Sequence, residues 1–175
     1  MRKMDHYGLR LCKFQAELFE KSIEIADCSS KIFIRRFMLS DLAKRMDTEG
    51  FLFSATDIID ATSEIESQYG LSDYGTEKFG REEIYWTGYI YRYWAYTTEK
   101  SSKQVYKIVK PEELRNLYFP YHSLDPAQAI ERIKEAKGIL DEDDIKRGVE
   151  ILREVRRRNK NHEKYYVGIK ESQKE

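Results

Sequence analysis

A chain of 175 residues suits one domain burying roughly two thirds of its unfolded surface. Charged residues make up 35% of it, yet 31 basic and 31 acidic side chains cancel, so net charge gives no nucleic-acid or polyanion signal. Only three prolines and nine glycines leave most of the chain free to be helical.

The opening residues, MRKMDHYG, lack the apolar core that a secretion signal needs. Cys12 and Cys28 form no CxxC motif, which predicts a cytoplasmic chain with reduced thiols serving as small core residues. From about Tyr7 to Ala26, Leu11, Phe14, Leu18 and Ile25 recur at the three- and four-residue spacing of a helix with one buried stripe. Ser29 or Ser30 caps the next helix, KIFIRRFMLSDLAKRM, with Ile34, Phe37, Met38, Leu42 and Met46 on one side and Arg35 and Arg36 on a solvated one. Asp47 to Phe53 reads as a loop whose left-handed residue is Gly50. Ser54 with Asp57 resembles a capping box, opening a third helix that Gly70 ends. Asp57, Asp60 and Glu64 share a face of it, read as solvated and acidic rather than as a cation site.

Residues 71–80 read as a connecting loop, because the chain has neither GxxxxGK[ST] nor GxGxxG and so no cofactor motif. Arg81 to Thr97, REEIYWTGYIYRYWAYT, organises the rest. Seven of its twelve residues from Tyr85 to Tyr96 are aromatic, and seventeen residues without a turn signal favour a helix over a strand. Such a helix, apolar nearly all round, is expected at the centre of the fold, with Gly88 and Ala95 letting another backbone come close. It is too short and, with Arg92, too charged to span a membrane. Ser101 and Gln104 make a second capping box; Pro111 starts a helix, PEELRNLYF, that Pro120 ends; Asp125-Pro126 with Gln128 starts another that Gly138 stops. A last helix has acids at Asp141–Asp144 and cations at Arg153 and Arg156–Arg158, matching the helix dipole. The fold expected is all-α, a single-domain bundle of six to eight helices over residues 1–158, followed by a polar, mobile tail at 159–175.

Three chemistries are weighed. The spacing Arg115-Asn116-x5-His122 resembles the signature of HEPN ribonucleases, small all-helical domains often found in toxin–antitoxin pairs. The resemblance implies that Arg115 holds the scissile phosphate and His122 acts as acid and base. Against it stand the eight residues it covers and Pro120 between the two groups. The basic patch Arg153, Arg156, Arg157, Arg158 and Lys160 could grip phosphates, although cations completing a helix C-terminus account for it more simply. No histidine has partners at metal-ligand spacing. Thirteen tyrosines exceed what a small core can bury with every hydroxyl paired, and Tyr, Trp and Arg anchor interfaces. Tyr91, Arg92, Tyr165 and Tyr166 are therefore the expected contacts for a protein partner or a second copy of the chain.

The runs IFIRRFMLSDLAKRMD, EEIYWTGYIYRYWAYT, SSKQVYKIVKPEELRNLYFP and YHSLDPAQAIERI resemble a family of uncharacterised bacterial all-helical proteins encoded in short operons with predicted toxin genes. The similarity covers about Ser29 to Gly138. It implies an antitoxin-like or accessory role with a cognate toxin as partner, and assigns no residue a function. The leading expectation is thus a non-enzymatic interaction module; the alternatives are a HEPN-like ribonuclease and a DNA-binding regulator.

Overall fold

Two helices approach closely at the centre because the sides they turn to each other are small. The structure, a computed structural model, describes residues 2–48, 50–51, 56–139 and 149–157. Its helices are α1 (His6–Ile25), α2 (Ser30–Leu39), α3 (Asp41–Met46), α4 (Ile58–Tyr69), α5 (Arg81–Thr98), α6 (Ser102–Ile108), α7 (Pro111–Asn116), α8 (Tyr118–Tyr121) and α9 (Pro126–Ala136). Residues 149–157 are helical too, and no strand occurs among the described residues. The fold is all-α. The chain divides into two compact units, Met1–Glu131 and Arg132–Glu175, with the boundary inside α9.

In the first unit α5 packs along α1 more extensively than any other pair. A Cβ placed on Gly88 would lie 2.9 Å from the Gln15 carbonyl oxygen and 3.0 Å from the Ala16 Cα, so only glycine permits this approach. The wholly buried positions of α5 include Ile84, Thr87, Gly88, Tyr91, Arg92 and Trp94, whereas Tyr85, Trp86, Tyr89 and Tyr93 stay half-buried. The small residues went inward and much of the aromatic bulk stayed at the rim. Tyr91 and Arg92, expected at a partner surface, are 0% and 1% exposed, so that placement is corrected. Burial leaves no polar group of theirs stranded. Tyr91 donates to the Val109 carbonyl at 2.8 Å, and Arg92 donates from Nε to Gln15 (2.8 Å), Nη1 to Asp47 (2.8 Å) and Nη2 to Ser102 (2.9 Å).

Helix starts and stops mostly obey the cap residues. Asp5, Ser40, Asp57 and Ser101 accept from their own first turns. The helix expected through residue 46 breaks at Ser40, where the backbone turns extended (ψ 164°) and Oγ accepts from Ala43 N at 3.1 Å. Asp57 itself caps α4, and Ser54 lies outside the described residues. Pro120 does not end a helix. It sits in the first turn of α8, where an absent N–H costs nothing, after the chain has turned at Leu117.

The segment between α4 and α5 has no regular structure yet is tied down. Tyr74 and Glu77 carbonyls accept from Ser29 N and Ser30 N at the start of α2, at 3.1 and 3.0 Å. Lys78 Nζ donates to the Ala26 and Cys28 carbonyls beyond the end of α1, at 2.5 and 2.6 Å. One loop thus satisfies backbone groups at both ends of the α1–α2 corner.

Burial delays the titration of several acids, among them the buried Cys12 and the half-buried Tyr89. Burial pushes the Cys12 thiol up from 9.0 to about 12, with the Arg92 charge pulling weakly the other way. Burial likewise pushes the Tyr89 phenol up from 10.0 to about 12. Both pKa values are raised on folding, so the stability they contribute is whole below pH 9 and is lost as pH rises toward 12. The urea midpoint is expected to hold between neutrality and pH 9, then fall. Cys12→Ala should make the first part of that fall shallower; an unchanged slope contradicts the assignment.

Candidate functional site

The first turns of α5 and the short α8 frame an open cleft of about 440 Å³ lined by Glu20, Arg81, Glu82, Tyr85, Trp86, Tyr118 and His122. Local sequence places each group. Gly80 precedes α5 and its N–H donates to Glu83 Oε2 at 2.9 Å, fixing the turn that carries Arg81 and Glu82. Trp86 and Tyr85 follow one turn on, at the edge of the buried face. The turn at Leu117 and the single turn of α8 swing Tyr118 toward Trp86, the rings meeting edge-to-face at 5.9 Å and 77°.

Around those rings the polar groups are unevenly matched. Arg81 is held by Glu20, a bond that raises its pKa further. Tyr118 donates its hydroxyl to Glu82 at 3.0 Å; desolvation first, and this bond second, push its phenol up. Burial and then the Glu17 and Glu20 carboxylates raise Tyr85. Among the described residues Glu82 has no cationic partner. The His122 ring stacks on Tyr118 at 4.7 Å, and its Nδ1 lies 3.1 Å from the Tyr118 and Phe119 carbonyls. Carbonyls only accept, so Nδ1 carries a proton.

The ribonuclease spacing is not assembled as one group here. Arg115 is held by Glu77 (2.5 Å) and Glu83 (2.9 Å) over the Phe79 ring at 4.6 Å, an arrangement that raises its pKa, Glu77 first. It does not line the cleft that contains His122, and Asn116 is exposed. Of the basic patch, Arg153, Arg156 and Arg157 are exposed on the helical segment 149–157, and Arg157 pairs with Glu154 at 2.8 Å. Arg158, Lys160, Tyr165 and Tyr166 lie outside the described residues. In the acidic stretch, Glu64 grips Arg45 through two 2.6 Å bonds and Asp57 is a helix cap, so both carboxylates have structural tasks.

A second cavity, of about 350 Å³, opens beside Arg92, Asp47, Tyr96, Arg2 and Lys100. Its buried guanidinium is already neutralised by Asp47, so Arg92 works there as a structural knot. Sequence reasoning missed Glu20, Glu82 and Trp86 as cleft residues. The available signal was an aromatic and a carboxylate at the edge of the buried face of α5, four residues apart.

Fold and cleft together define an all-α domain with an aromatic-walled surface site. Comparison with protein-family models, with curated proteins and with solved structures gives no match. No helix among the described residues is long and apolar enough to cross a membrane.

Proposed function

We propose that the protein is a non-enzymatic interaction module of the cytoplasm that binds a protein partner through the aromatic cleft. One observation carries the reading. Trp86 and Tyr118 wall an open cleft beside Phe119, which is 75% exposed, and aromatic rings held this way anchor interfaces. Their order in the free protein matters as well, because rings already in place lose little freedom on binding. The finer form of the reading, an antitoxin-like module whose partner is a toxin protein, rests on the family resemblance.

Co-expression with the product of the neighbouring gene tests both levels. The pair should co-elute as one complex, and Trp86→Ala should weaken it by roughly tenfold or more, as loss of a buried aromatic anchor does. Separate elution of the two proteins would end the antitoxin-like form. A complex indifferent to Trp86→Ala would end the cleft's part in it.

A further inference from the structure

We infer that the cleft receives an arginine side chain of the protein partner, its guanidinium against the Trp86 and Tyr118 rings and the Glu82 carboxylate. This rests on the cleft being the partner-binding surface. The charge is the first ground. Glu20 and Glu82 face one permanent cation, Arg81, and Glu20 already holds it, while the His122 ring that also lines the cleft is stacked on Tyr118 and makes no ion pair with Glu82. Glu82 receives only a neutral hydroxyl, so the cleft carries one negative charge that no cation among the described residues balances.

The walls are the second ground. A tryptophan face is the best aromatic partner for a cation, and a tyrosine adds to it. Guanidinium suits such a site better than ammonium. It is flat enough to stack, weakly hydrated, and can fork onto a carboxylate while stacked. An opening of about 440 Å³ accommodates a long side chain rather than a lone ion. The α5 dipole by itself would favour an anion, but Glu82 and Glu83 occupy its first turn and offset that field.

The test is a titration of isotope-labelled protein with N-acetyl-arginine amide and with its neutral isostere, N-acetyl-citrulline amide, following the two indole N–H resonances. Arginine should shift Trp86 saturably and leave Trp94 unmoved; citrulline should bind roughly two- to fivefold more weakly. Glu82→Gln keeps an acceptor for Tyr118 and removes the charge. It should weaken arginine by a similar factor and leave citrulline unchanged. Equal binding of the two ligands, or no effect of Glu82→Gln, overturns the inference. If Trp86→Ala still weakens the partner complex in that case, only the arginine claim fails. A complex indifferent to Trp86→Ala removes the cleft reading beneath it.

Discussion

Asp47→Ala is expected to cost about 3–5 kcal/mol of unfolding free energy, read as a lower urea midpoint at unchanged slope. Asp47 lies just beyond α3 and binds three groups at once: Arg92 Nη1 at 2.8 Å, the Ser102 N–H at 2.8 Å and the Ser102 hydroxyl at 2.6 Å. Without it a guanidinium 1% exposed loses its counter-charge, and the first N–H of α6 loses its acceptor. Removing the charge as well should help. In an Asp47→Ala background, Arg92→Met is expected to recover part of the loss, because burying no charge costs less than burying an unpaired one. A loss below about 1 kcal/mol for Asp47→Ala would place that side chain in the range of ordinary surface ion pairs instead.

Gly88→Val should be nearly as damaging, at about 3 kcal/mol, with loss of near-ultraviolet dichroism as α1 and α5 separate. The clash is with the Gln15 and Ala16 backbone, which cannot rotate aside as a side chain tip could. Gly88→Ala is the milder test. Its gain in helix propensity of about 1 kcal/mol opposes the same contact, so its net cost should be smaller than that of valine. A neutral Gly88→Val would mean that the two helices do not meet there.

Local chemistry explains what could be read from residues alone. Caps at Ser101 and Asp125, the proline at Pro111 and the glycine stops at Gly70 and Gly138 act within four residues, and the structure follows each. The all-helical class and the central place of Arg81–Thr98 also follow from periodicity and composition. What escaped depends on distant partners. Nothing near Arg92 in sequence announces Asp47 and Gln15, so a lone arginine among tyrosines read as a surface group. Ser40 looked like one more polar residue on a helix, although its hydroxyl both accepts from Ala43 N and donates to the Phe37 carbonyl at 2.7 Å, breaking the helix in two. The cleft joins residues 20, 82, 86, 118 and 122, which no local window contains. His122 was legible as a candidate, but for phosphate chemistry that needs an Arg115 already held by Glu77 and Glu83.

The aromatic helix therefore has two different sides, one locked inside at Trp94 and one kept open at Trp86. Fluorine NMR of 5-fluorotryptophan-labelled protein reads both at once, with Trp86→Phe assigning the signals. The Trp86 signal is expected to move on exchange into heavy water and to broaden with a soluble paramagnet, while that of Trp94, 0% exposed, responds to neither. Two equally shielded signals would close the cleft, and two equally responsive ones would take α5 out of the core.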